Sequence, residues 1–234
     1  MNASMTESRI ATLHVVRVFM AANGAGGNLL GVFLNGRAIS EARRQAVAHE
    51  LGFSETVYVD GIDGARADAR IFTPTRELPF AGHPTVGTSW LLRQEGHPTA
   101  TLHVPAGDVH CRQEGDLAWI RARPEWIHEI HIDELPSPAD VDAIDANDEQ
   151  SRYVWAWIDE PAGILRSRYF ASAFGIAEDE ATGAAAVLMG SLLGRDLLIR
   201  QGRGSELHVR VVADGSVEVG GRVTRHEERD FAAG

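Results

Sequence analysis

ARIFTPTRELPFAGHPTVGTSWLL, residues 69–92, decides how this chain is read. Ala69, Ile71 and Phe72 read as the end of a strand, and Pro74, Pro79 and Gly82 mark the loop that follows. His83 comes next, and an apolar helix opens at Pro84. Proline suits a first helical turn because its missing N–H would have no partner there. That turn keeps free backbone donors and the positive end of the helix dipole, which together seat a carboxylate.

RYFASAFGIAEDEATGAAAVLMGSLL, residues 168–193, has the same design. An Arg-aromatic-Phe strand end leads through Glu178, Asp179 and Glu180 into a second apolar helix, about four turns long, from Ala181. Thr182-x-Ala184 stands where Thr85-x-Gly87 stands in the first copy. Two strand–loop–helix units of one design imply a duplicated architecture whose helix mouths face each other across a cleft.

Working outward, Leu13–Phe19 and Asn28–Leu34 read as strands joined by the glycine-rich loop NGAGG, residues 23–27. A phosphate-binding loop should feed a helix, so this loop is read as a flexible or site-lining turn. Ile39–Leu51 is an amphipathic helix with Ser40 as N-cap and Gly52 just beyond its end. Ser54–Val59 is a strand, followed by a turn at Gly61–Gly64, a strand up to Phe72 and three short strands before Arg121. Residues 124–150 read as a crossover with at most one short helix. The boundary near Arg123 divides an N-terminal lobe, 1–123, from a C-terminal lobe, 124–234. In the second lobe Tyr153–Ile158 and Leu165–Phe170 are strands. A hairpin closes the chain, with Asp214-Gly215 as the type I′ pair.

The 234 residues, 44% hydrophobic and 24% charged, describe ordinary globular material. A net charge of −11 argues against nucleic acid and anionic membranes as partners. The lone Cys111 leaves no internal disulfide and no multi-cysteine zinc site. No signal-peptide core or membrane-spanning run is apparent, so a cytoplasmic protein is expected.

Glu55 is the sharpest chemical signal. In SETVYV, strand alternation places Phe53, Glu55, Val57 and Val59 on one apolar face, opposite Ser54, Thr56 and Tyr58. Burial there is expected to raise the Glu55 pKa toward the range of a proton carrier; the alternative is a strand-end carboxylate turned to solvent. His83 either relays a proton or packs on Phe80 or Trp90. Asp179 either caps the second helix or grips a substrate opposite Glu55. Thr85, Gly87, Thr182 and Gly183 allow close approach to an anion seat, or serve helix–strand packing. Arg76 and Glu77 are read as a local salt bridge. HEIHID, 128–133, lacks a convincing partner set for a metal.

Together RIFTPTRELPFAGHPTVGT, SETVYV, VFMAANGAGGNLLGVFL and EDEATGAAA resemble the signature blocks of the PhzF (phenazine biosynthesis-like) family, over most of 13–121 and 165–223. The resemblance implies an α+β, diaminopimelate-epimerase-like fold with two pseudo-symmetric β-rich lobes, each around a central helix, and a homodimer. It also implies a cofactor-independent isomerase acting on a small carboxylate, as PhzF does on trans-2,3-dihydro-3-hydroxyanthranilate. Glu55 would shuttle the proton, with His83 and Asp179 in the catalytic group. Asn28, Gly82, Thr182, Gly183 and Ala184 would bind substrate, and no metal is called for. Three departures stand out: Ala184 replaces the family's serine, Leu29 replaces its proline, and the 122–165 stretch is short, leaving the second lobe reduced. A non-catalytic ligand-binding relative is the rival reading. Two-thiol racemisation is excluded, because Cys111 lies outside every motif.

Overall fold

The computed structural model describes residues 10–145, 150–172 and 176–233. Eight strands close into a ring in the first lobe: β1 (Ile10–Met20), β2 (Gly26–Phe33), β3 (Glu55–Asp63), β4 (Arg66–Phe72), β6 (Thr101–Val104), β7 (Gly107–Glu114), β8 (Leu117–Ala122) and β15 (Val217–Ala232). The two-residue β5 (Glu77–Leu78) pairs with β4. The last strand completes the ring, because β15 pairs with β8 through 217–222 and then with β1 through 222–232. A cut at residue 123 therefore does not separate two sheets. The chain's final strand belongs to both lobes.

The second lobe is an open continuation of the same sheet. From β15 it runs through β14 (Ser205–Val211), β13 (Leu197–Gln201), β11 (Ile164–Ala171) and β10 (Arg152–Asp159) to the three-residue β9 (Ile132–Glu134), with β12 (Ile176–Asp179) paired to β11. Among the described residues the crossover thus carries a short strand, a 3-10 turn at Pro124–Trp126 and a short α-helix, α3 (Pro138–Ala143). Asp214-Gly215 does lie in the β14–β15 turn, but it is not type I′. Only Gly215 has a positive φ, whereas that turn needs two such residues. The Val212 N–H donates to the Ser216 carbonyl at 3.0 Å, closing a longer loop.

Each lobe wraps a central helix: α2 (Gly82–Gln94) in the first and α4 (Gly183–Leu193) in the second. Nearly every residue of α2 is buried, as an all-round apolar helix requires. Gly87 is explained by this packing, since a Cβ there would stand 2.7 Å from the side chains of Leu30 and Val18. Thr85 likewise turns its hydroxyl back onto the Ala81 and Gly82 carbonyls at 2.9 and 2.8 Å. One core runs through both lobes, from Val16, Val57 and Val86 to Ala185, Met189 and Val219. The helix α1 (Glu41–Leu51) lies outside the ring over a second cluster containing Leu13, Phe33, Val47 and Tyr58. Both faces of β3 are therefore covered, which is why Thr56 and Tyr58 are as buried as Val57. Phe53 precedes the strand and packs with the outer cluster, not on the Glu55 face.

The structure shows the duplication in side-chain detail. Arg70 makes a two-pronged bond to Glu77, 2.6 Å on each arm, and stacks over Phe72. Arg168 does the same with Glu178, 2.8 Å on each arm, over Phe170. Glu77 thus pairs with Arg70 rather than with Arg76. No helix among the described residues is long and apolar enough to cross a membrane.

Candidate active site at the paired helix starts

The two central helices begin against each other. A Cβ on Gly82 would lie 2.6 Å from the Gly183 carbonyl carbon, and one on Gly183 would lie 2.8 Å from the His83 nitrogen. The equivalent positions of the two copies are therefore Gly82 and Gly183, which shifts the threonine correspondence read from the sequence by four residues. The mouths touch rather than face each other across an open cleft. Only glycine permits this, because the obstructing atoms are backbone. His83 is the second residue of α2, not the residue before it. The second helix is three turns long, beginning at Gly183.

Neither helix start carries a side-chain cap of its own. Two positive helix ends in contact need negative charge nearby, and one carboxylate from each lobe supplies it. Glu55, first residue of β3, reaches α2: its Oε2 lies 3.0 Å from His83 Nδ1. The ring N–H does not point along that line, so this oxygen, fully buried, is left without an aligned donor. Asp179, last residue of β12, serves α4. Its Oδ1 accepts from Asn28 Nδ2 and its Oδ2 from the Thr182 hydroxyl, both at 2.6 Å.

Their surroundings tune the two carboxylates in opposite directions. Burial pushes Glu55 up, as the strand pattern led one to expect. The charge of His83, 3.0 Å away, with the polar neighbour Ser54, outweighs it and leaves Glu55 below the ordinary carboxylate range. Burial alone would lower His83, but Glu55, followed by Asp179, raises it. Asp179 is pushed up to about 6 by burial and then by the nearby Glu55 charge; His83, Thr182 and Asn28 only partly offset this. The two opposite shifts favour the charged pair, an ionised Glu55 beside a protonated His83, while Asp179 lies close to taking a proton.

A narrow crevice of about 60 Å³ opens beside Glu55 and Asp179. Its walls are mostly apolar, with Leu78, Phe80, Tyr169 and Ala184 among them and His128 contributed by the crossover. On the other side of Asp179 lies a broader basin of about 540 Å³, bordered by Arg17, Gly27, Asn28, Ser54 and Arg203. Of the residues singled out in the sequence, Glu55, His83, Asp179, Asn28, Thr182, Gly82, Gly183 and Ala184 come together here. Asn28 and Thr182 spend their polar groups on Asp179. The glycine loop is a site-lining turn: a Cβ on Gly26 would stand 2.3 Å from the Ser205 nitrogen, and the Gly27 N–H donates to Ser205 Oγ at 2.8 Å. Ser205 Oγ donates in turn to Glu180 at 2.9 Å, tying the first lobe to the Asp179 loop. Sequence reasoning missed Tyr169, His128 and the buried Gln201, which no local pattern distinguishes from structural or solvated residues.

One group of possible metal ligands exists among the described residues, His14, Glu95 and Glu228. Arg225 already bonds both carboxylates there, so its guanidinium fills the cation's role. In HEIHID, His131 pairs with Asp133 at 3.0 Å and His128 lies at the crevice.

The model of the phenazine biosynthesis-like protein family, PhzC-PhzF, matches residues 16–121. An uncharacterized isomerase from Pasteurella multocida is 36% identical over 127 residues, covering 53% of this chain and 44% of that protein. The aligned part of a Mesorhizobium japonicum isomerase is 39% of its length. The trans-2,3-dihydro-3-hydroxyanthranilate isomerase of Pseudomonas aeruginosa is 29% identical over 234 aligned residues, 83% of this chain and 84% of that one. Among solved structures, a predicted epimerase from Pseudomonas aeruginosa superposes with a TM-score of 0.71 at 26% identity, over 94% of this chain and 99% of that one. A PhzF-family protein from Bacillus anthracis gives 0.76 at 19% identity, over 95% and 99%, a likeness of fold.

Proposed function

Because this chain belongs to the phenazine biosynthesis-like (PhzF) family, we propose that it is an isomerase in which Glu55 carries a proton between two atoms of a small carboxylate-bearing substrate. The observation that supports this reading most is the buried Glu55 Oε2, 3.0 Å from His83 Nδ1 yet without an aligned hydrogen bond, at the edge of the crevice.

A carboxylate whose ionised form is favoured by a neighbouring histidine is a competent base, and its Oε2, without an aligned hydrogen bond, is open to a substrate proton. Having taken the proton, Glu55 becomes an acid of the same geometry and can return it elsewhere on the same molecule. The narrow, largely apolar walls keep bulk water from exchanging that proton. His83 stabilises the ionised Glu55 before transfer and can turn its charge toward the substrate afterward. Asp179, poised to protonate near pH 6, offers a second proton to a substrate oxygen or nitrogen. The uncapped N–H groups of the helix starts take the substrate's carboxylate. None of these steps needs a metal or an organic cofactor.

The substrate of the Pseudomonas relatives is the first compound to try, followed by other cyclic and amino-acid-like carboxylates. In deuterated water, the wild-type chain is expected to isomerise one of them, with Glu55→Gln slowed about 10²- to 10⁴-fold at unchanged fold. A Glu55→Gln protein that turns over a verified substrate at the wild-type rate would refute the assignment. Binding of these compounds without turnover or exchange in the wild type would favour the ligand-binding alternative, which Ala184 in place of the family's serine motivates.

A further inference from the structure

Gln201, the last residue of β13, is wholly buried and has no part in the proton transfer described above. Its amide makes three hydrogen bonds to the turn that carries Asp179. Nε2 donates to the Asp179 main-chain carbonyl at 2.9 Å and to Thr182 Oγ1 at 2.8 Å, while Oε1 accepts the Thr182 N–H at 3.2 Å. A carbonyl can only accept and an N–H can only donate, so the backbone fixes which end of the amide is which. The remaining N–H of Nε2 then occupies a lone pair of the Thr182 hydroxyl. That hydroxyl directs its own proton to the acceptor left to it, Asp179 Oδ2 at 2.6 Å.

We propose that Gln201 is a positioning residue for the acid–base site: it sets the direction of the Thr182 hydroxyl and thereby gives Asp179 a permanent hydrogen-bond donor. The inference rests on the reading of Asp179 as a working carboxylate. The chain of donation runs one way, from Gln201 through Thr182 to Asp179. A donor held on a carboxylate favours its ionised form, so Gln201 restrains the upward push that burial and Glu55 exert on Asp179. The other groups that bear on this carboxylate are Asn28 from β2, Glu55 from β3, His83 from α2 and Tyr169 from β11. Arg17 and Arg203 border the adjoining basin with Glu178 and Glu180, and His128 borders the crevice. Among these groups Asn28 is the one that also donates to Asp179; Gln201 acts on Asp179 through a second residue.

The test is a carboxyl-carbon NMR titration of Asp179 in the full chain labelled at aspartate, with the signal assigned by its loss in Asp179→Asn. Gln201→Met keeps the side-chain length and removes the amide. It is expected to raise the Asp179 midpoint by about half to one pH unit, and Thr182→Val by at least as much. The double variant should titrate with Thr182→Val, because the influence of Gln201 has no route without the hydroxyl. An unmoved midpoint in Gln201→Met would overturn the proposal, and so would a rise of equal size with and without Thr182. If Gln201→Met does not fold, Gln201→Glu carries the comparison: its carboxylate draws the Thr182 proton away from Asp179, and its shift must shrink when Thr182 is valine. The functional reading has a separate fate. Coupling as expected, joined to wild-type turnover by Asp179→Asn, would uphold the role of Gln201 and remove Asp179 from the mechanism.

Discussion

The two lobes repeat one construction and finish it differently. In each, an arginine on a strand stacks on the aromatic residue two places along and grips a glutamate of the short strand that follows, and an apolar helix starts beyond it. The first copy brings a charged partner to its helix start, His83, which leaves Glu55 an ionised carboxylate. At the second helix start Asp179 accepts from neutral donors, Thr182 of its own lobe and Asn28 of the first, and burial with the nearby Glu55 charge raises it to about 6. Duplication brought two helix starts to one junction, each lobe adds a carboxylate there from a different place in its strands, and the difference in neighbours separates their proton affinities. Two equivalent groups could not divide the work of acid and base; two unequal ones can.

The contact between Gly82 and Gly183 joins the two helix starts, and removing it should have the largest effect on stability. Gly82→Ala places a Cβ against backbone that cannot yield and is expected to cost about 1–3 kcal/mol in denaturant unfolding. Gly183→Ala should cost a similar amount. The double variant should cost less than the two together, since both open the same contact. Strict additivity would mean that the helix starts are held independently and would break the comparison.

The pH dependence sharpens it further. Asp179 titrates higher in the folded chain than in the unfolded one, so it binds a proton sooner when folded. Its contribution therefore favours the native state most below the unfolded value and is lost as pH rises from about 4 to about 6. Glu55, shifted down, and His83, shifted up, act in other windows: the first loses its contribution as pH falls below the ordinary glutamate range, the second as pH rises above the ordinary histidine value. Asp179→Asn should thus gain stability relative to wild type between pH 4 and 6, by up to about 3 kcal/mol in unfolding midpoints measured across that range. A constant difference would show that Asp179 is not raised. The smallest effect is expected at Ala184, which lines the crevice at the α4 start. Ala184→Ser restores a hydroxyl there and should change stability by no more than about 0.5 kcal/mol. Its kcat/KM on a verified substrate should rise by about threefold to tenfold, the worth of one added hydrogen bond.

Much of this was readable in the chain itself. The two strand–loop–helix units, the inward Glu55 and the candidacy of His83, Asp179 and Thr182 rest on local periodicity and motif, and local signals survive into structure; Asn28 was implied by the family resemblance. The errors lie where a distant partner decides. Glu55 was expected to be raised because its strand is apolar, yet His83, twenty-eight positions on, reverses the sign. Gly87 left an anion seat and helix–strand packing both open, and contact with Leu30 and Val18 decides for packing. Closure of the first ring by β15 depends on a register between the two ends of the chain, which no window of sequence contains. Gln201 could not be singled out, since its importance lies in three bonds to residues about twenty positions earlier.

The unequal tuning of Glu55 and Asp179 is tested most directly by titrating both carboxyl carbons by NMR in the substrate-free chain. The account predicts that Glu55 titrates below the ordinary glutamate value of 4.5 and Asp179 near 6, with Asp179 moving down when Glu55 is replaced by glutamine. Two carboxylates titrating together near 4, indifferent to one another, would contradict it.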